Sequence, residues 1–149
     1  AFVAASRSGV LIVDVGTPWS PMILGSVAMT GRAMAVSRSG DRLCAAADEA
    51  GLAVIDVRDP RASAVVGVLD TPGFAVGVAG CDATTLVADW SGGLRQIDAR
   101  NRTTPVEISA LNLTRHPIDT ADCRGYAAVV EIQDGAKVVQ DCEATASTR

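Results

Sequence analysis

Few side chains in this sequence have the type and spacing that chemistry needs. His116 is the only histidine, and Pro117 after it biases its backbone to extended geometry. A general base needs a nucleophile or a substrate proton within reach, and no Gly-x-Ser-x-Gly or comparable motif accompanies it. The cysteines are Cys44, Cys81, Cys123 and Cys142, none in a Cys-x-x-Cys pair, so with a lone histidine no zinc site is expected. Cys81 and Cys123 lie one period apart in a repeat that runs through the chain, at equivalent places of successive copies. Such positions sit farther apart than the roughly 4.4–6.8 Å between Cα atoms that a disulfide spans. The cysteines read as small thiols, buried or in turns. A bridge involving Cys142 is compatible but does not follow from the sequence, and the redox compartment stays open.

Asp14, Asp56 and Asp98 recur at the same spacing. A repeated carboxylate suggests calcium ligands or a ring of charge, yet no Asp-x-Asp-x-Asp-Gly loop supports calcium. A strand-end aspartate accepting backbone N–H bonds in the next turn is the simpler reading. No catalytic residue, metal or cofactor is expected.

The elements that carry these residues repeat with them. Gly9-Val10-Leu11-Ile12-Val13-Asp14-Val15 returns as Gly51-Leu52-Ala53-Val54-Ile55-Asp56-Val57 and as Gly93-Leu94-Arg95-Gln96-Ile97-Asp98-Ala99. A decayed copy starts at Gly135, where Gln140 stands in place of the aspartate. A fixed period of this length, in the range of about 20–50 residues, marks a repeat architecture. Each period holds four apolar runs separated by turn chemistry such as Asp48-Glu49-Ala50-Gly51 and Asp70-Thr71-Pro72-Gly73. Such short runs are strands with tight connections, and helices of ordinary length have no room. One residue is gained or lost near Gly40 and near Trp90, both in turns.

Val10–Val13 and Ala53–Ile55 are apolar without alternation, so these strands are buried on both faces. With no helices, the covering layers must be other sheets, and four-stranded antiparallel sheets stacked around an axis form a β-propeller. The 3% aromatic content fits, because crowded inner strands need Ala, Gly and Val. The fold expected is all-β: a single repeat domain over 1–149, with blades at about 1–31, 32–73, 74–115 and 116–142 and a polar tail at 143–149. The first blade lacks an inner strand and the last carries three, so both terminal blades are incomplete. A four-bladed ring, two copies closing a larger ring, or a piece of a longer chain are all compatible. A homo-oligomer or part of a longer chain is preferred, since an open array exposes strand edges and apolar faces. The start inside a strand, at Ala1-Phe2-Val3, suggests a processed or excised piece.

The net charge of −4 with scattered basic residues argues against nucleic acid. No apolar run of about 18 residues predicts a membrane span. Asp48, Asp89 and Glu131 end the second strand of their blades, so their turns share a face with the connections between blades. That face gathers Arg32, Phe74, Arg115 and His116 beside Arg7, Glu49 and Trp90, and propellers bind on such loops. Trp90 is either an exposed binding anchor or a ring folded over the next blade. Trp19, within Pro18-Trp19-Ser20-Pro21, lies on the opposite face and covers that end. Asn101-Arg102-Thr103 and Asn112-Leu113-Thr114 are glycosylation sequons by spelling only.

The stretches Val54-Ile55-Asp56-Val57 … Asp59-Pro60 … Gly67 and Leu86-Val87-Ala88-Asp89 … Gly93-Leu94 … Ile97-Asp98 resemble the LVIVD repeat. Asp70–Val78 is similar to that family's segment between blades. The resemblance implies a β-propeller, often of secreted or surface-located proteins, and a broad binding role. The expectation is a non-enzymatic scaffold binding an unknown protein or small-molecule ligand, secreted or at the cell surface. Its rivals are an enzyme with its site at the channel mouth and a structural spacer in a larger surface protein.

Overall fold

The computed structural model describes residues 1–113, 116–123, 126–131 and 135–140. Its strands fall into four antiparallel meanders. Blade 1 holds β1 (Phe2–Ala4), β2 (Val10–Asp14) and β3 (Met22–Val27). Blade 2 holds β4 (Ala35–Ser39), β5 (Arg42–Ala46), β6 (Leu52–Asp56) and β7 (Ala64–Leu69). Blade 3 follows with β8 (Gly77–Ala79), β9 (Thr85–Ala88), β10 (Leu94–Asp98) and β11 (Val106–Leu111), and blade 4 with β12 (Pro117–Cys123), β13 (Tyr126–Glu131) and β14 (Gly135–Gln140). The arrangement is an all-β propeller segment in which, among the described residues, the first and last blades show three strands each and the two between them four.

The uninterrupted apolar runs have a direct cause. Side chains of a strand alternate between faces, and here each face meets a different core. On β5 and β6, Leu43, Ala45, Ala53 and Ile55 join Val10, Ile12 and Val27 of blade 1. Their neighbours Cys44, Ala46, Leu52 and Val54 join Val78, Val87 and Ile97 of blade 3. A polar residue on either face would lose its water, so both sets are apolar. The third core, with Leu86, Leu94 and Val129, joins blades 3 and 4. Inner strands make the approach: β1 packs on β4, β4 and β5 on β8, and β8 and β9 on β12. Among the described residues no more than marginal contact joins blade 4 to blade 1.

The register of blade 2 recurs in blade 3 at the same repeat period throughout: Ala35 pairs Ala46 as Gly77 pairs Ala88, and Ala46 pairs Leu52 as Ala88 pairs Leu94. The gain or loss expected near Gly40 and near Trp90 is therefore absent. Even the bulge recurs, between Ile12 and Val13, Val54 and Ile55, and Gln96 and Ile97. It twists each outer strand in the same way.

Two further expectations need correction. Cys44 on β5 and Cys81, just past β8, form a disulfide with Cα atoms 5.4 Å apart. The period excludes only pairs at equivalent positions, and these two hold different positions in adjoining blades, one on β5 and one in the β8–β9 turn. Cys142 lies outside the described residues. Trp19 covers nothing described: it is 89% exposed at the tip of the β2–β3 connection.

Candidate binding face

In blades 1 and 2 the turn between the second and third strands meets the connection into the next blade, and backbone hydrogen bonds tie the two together. Ser6 exchanges two 3.0 Å bonds with Ala33, and Asp48 exchanges two 3.0 Å bonds with Ala75. Ser6 and Asp48 both adopt positive φ (52° and 54°), and so does Trp90 (44°). Trp90 therefore holds the place that Ser6 and Asp48 hold, while Asp89 corresponds to Ala47 and Ala5. Asp48 and Asp89 are not equivalent, contrary to the expectation from the sequence. The strand register and the glycines that follow, Gly51 and Gly93, set Asp89 one residue before the place of Asp48.

In the third copy the partner of the turn is Pro117, which has no N–H to give. The reciprocal bridge is replaced by a stack. The Trp90 and His116 rings lie 4.9 Å apart, inclined by 8°, within the usual range for aromatic pairs. Trp90 is half-buried and His116 exposed, so the indole lies on the connection into blade 4.

Asp89 is fully buried. The Thr71 hydroxyl donates to its Oδ1 at 2.5 Å, and the Gly73 N–H donates to its Oδ2 at 2.9 Å. Arg95 Nε stands 3.6 Å from Oδ2 while its Nη1 pairs with Glu107 at 3.2 Å. Burial pushes the Asp89 carboxyl above its ordinary range, against the pull of Thr71, Gly73 and Arg95. A Cβ on Gly73 would meet the Asp89 carbonyl oxygen at 2.0 Å, so only glycine fits. Asp89 thus fastens the exit of blade 2 to blade 3.

Arg32 donates from Nε to the buried Asp48 carboxylate at 2.6 Å while remaining half exposed. Together these groups form one line along the face: Arg32 to Asp48, Asp48 to Ala75 beside Phe74, Gly73 to Asp89, and Trp90 to His116. Glu131, buried, pairs through its backbone with Pro117 at the end of this line. Phe74 is 43% exposed and is the apolar side chain the line offers to solvent. Arg115 lies outside the described residues.

At the opposite end, Asp14, Asp56 and Asp98 each accept the backbone N–H two residues on, at 2.8, 3.1 and 2.9 Å. Arg58 and Arg100, equivalent residues of successive repeats, close on Asp56 and Asp98 as ion pairs. The Arg100 hydrogen bonds, side chain before backbone, lower Asp98 to a pKa of about 2. Arg102 pairs with Asp41 at 2.6 Å and Arg42 with Asp82 at 3.0 Å, joining blades 2 and 3. The Asp-x-Arg spelling was a signal for the first set. Nothing local signals the second, whose partners are 61 and 40 residues apart.

Antiparallel blades stacked through their inner strands, with polar turns at both ends, define a β-propeller-type repeat scaffold. The LVIVD-repeat sequence model matches residues 1–29 and again 30–71, so the first two blades are LVIVD repeats and the architecture is consistent with that family. The fold is similar to the crystal structure of the computationally designed Ika4 protein, at 10% identity and a TM-score of 0.73 over 94% of this chain and 84% of that one. It is also similar to the computationally designed Ika8 protein, at 14% identity and a TM-score of 0.63 over 93% of this chain and 42% of that one. At such identities the likeness is one of fold alone. No curated protein matches the chain significantly.

Proposed function

We propose that this chain is a non-enzymatic binding scaffold that works outside the reducing cytosol and meets its partner on the Arg32–Phe74–His116 face. The observation that carries the reading is the continuous line of groups on that face. Its polar members are anchored by buried carboxylates, while Phe74, Arg32 and His116 stay accessible. Rigid turns presenting an aromatic and a cation suit recognition. The Cys44–Cys81 bridge supports the compartment, since structural disulfides persist where thiols are not kept reduced. A catalytic site would gather several perturbed groups in one cavity. The buried Asp89 is instead consumed by Thr71, Gly73 and Arg95.

The test compares three immobilised proteins: the unchanged chain, Arg32→Ala/Phe74→Ala, and Arg61→Ala at the opposite end. Each is exposed to envelope proteins of the producing cells, and retained species are identified by mass spectrometry. The reading expects a species that the face variant loses and Arg61→Ala keeps. Equal retention by all three would favour the spacer, as would a Trp90→Ala variant with unaltered binding and assembly. Alkylation of thiols in intact cells tests the compartment, because a reduced Cys44–Cys81 pair would contradict it.

A further inference from the structure

Comparing the blades with one another reveals a space that one interface leaves open and the next has filled. Between blades 2 and 3 the outer space is occupied by Arg95, only 12% exposed, clamped between Asp89 and Glu107. The equivalent positions one repeat earlier, between blades 1 and 2, carry Ala53 for Arg95, Val65 for Glu107 and Ala47 for Asp89. The register establishes the equivalence: Ala53 pairs Val68 as Arg95 pairs Ala110, and Ile55 pairs Val65 as Ile97 pairs Glu107. Where one interface holds a long side chain and its two carboxylate partners, the other holds three small apolar groups in the same backbone frame.

The space they leave is a cavity of about 320 Å³ lined by Met29, Ala53, Val65 and Val68. Beside it, sharing Thr30 and Val68 as lining, lies a wider hollow of about 540 Å³ flanked by Glu49 and Asp70. The volumes fall in the ordinary range for small-ligand sites, about 300–1,000 Å³. Both carboxylates are exposed, and neither makes an ion pair among the described residues. Arg32 casts its field on Glu49, but its hydrogen bond goes to Asp48. The acidic pair belongs to this interface alone among the first three repeats, since the positions equivalent to Asp70 are Ala28 and Asn112, and those equivalent to Glu49 are Arg7 and Ser91.

We infer that the groove between blades 1 and 2 binds a small apolar amine, its hydrocarbon body on Met29, Ala53, Val65 and Val68 and its ammonium between Glu49 and Asp70. The apolar body takes the volume that the Arg95 stem fills in the next interface. The cation restores the charge that Arg95 supplies there, now balanced by carboxylates at the rim. Burying the body against Ala and Val releases water from apolar surface. The unpaired rim charges distinguish a cation from a neutral or anionic molecule of equal shape.

The experiment is a titration of the isotopically labelled chain with 2-phenylethylamine, 2-phenylethanol and 3-phenylpropionate, followed by amide chemical shifts. The expected result is saturable binding of the amine with shifts at Met29, Ala53, Val65 and Val68, weaker binding of the alcohol, and none of the acid. Glu49→Gln/Asp70→Asn, a change confined to exposed side chains, should weaken the amine about fivefold to tenfold and leave the alcohol unchanged. Ala53→Arg/Val65→Glu rebuilds the filled interface and should abolish binding of both. Equal binding of the three probes, shifts elsewhere, or no saturation by about 10 mM would overturn the inference. Shifts at Phe74 or His116 instead would report on the proposed partner face, so the two readings fail separately.

Discussion

Removing the inter-blade disulfide tests how far the stacked blades depend on one covalent tie. Cys44 and Cys81, 37 positions apart in sequence, close a loop between sites buried in the same core. In the chain-entropy account a loop of this size restricts the unfolded ensemble by about 13 cal/mol/K, or about 4 kcal/mol at room temperature. The double variant Cys44→Ala/Cys81→Ala should lose about that much, plus a smaller packing loss from two buried sulfurs. With a urea slope near about 2 kcal/mol/M, the unfolding midpoint should fall by about 2 M. The assay is urea unfolding followed by circular dichroism for the unchanged chain, the double variant and Cys44→Ala alone. The single and double variants should behave alike, since either breaks the bond. A loss below about 1 kcal/mol would refute the argument, showing that the core and ion pairs of blades 2 and 3 hold the interface without the cross-link.

Three other outcomes follow from the geometry. Asp89→Ala should cost about 3–5 kcal/mol, because it orphans the Thr71 hydroxyl and the Gly73 N–H and removes one of the two carboxylates beside Arg95, whereas Asp89→Asn should cost less. Because burial raises the Asp89 carboxyl in the folded state, its contribution is fully present below the unfolded value of 3.8 and is lost as pH rises through the folded value. The difference in urea midpoint between the unchanged chain and Asp89→Asn should carry that slope. Asp98 has the opposite sign: lowered from 3.8 to about 2, it stabilises above pH 3.8 and the benefit is lost as pH falls toward 2, so Asp98→Asn should flatten acid unfolding in that window. Gly67→Ala should destabilise the chain by about 1–3 kcal/mol in a thermal melt, since its Cβ would stand 2.1 Å from the Arg102 carbonyl oxygen. Gly25→Ala, at the equivalent position of blade 1 and with nothing within 4 Å, should be close to neutral.

Much of this protein is legible in its sequence because a propeller blade is a local object. Each strand is a short run between breakers, and each hairpin closes within a few residues. The periodic recurrence of Gly-(apolar)-Asp therefore fixes the order of the strands within a blade and the spacing from one blade to the next. The unbroken apolar runs of β5 and β6 go further, since side chains that are apolar on both faces require a sheet on either side. What the tertiary structure decided are the relations across blades. The Cys44–Cys81 pairing depends on how far β5 lies from the end of β8, a distance the period does not contain. The burial of Asp89 and its offset from Asp48 depend on the positive φ that Trp90, not Asp89, shares with Ser6 and Asp48, a distinction that residue type does not carry. The Trp90–His116 stack arises because Pro117 deletes a donor at a bridge that exists only once the blades have stacked. The groove between blades 1 and 2 is likewise a property of the stack. Ala53 and Val65 look like ordinary strand residues until Arg95 and Glu107 show what the same frame can hold.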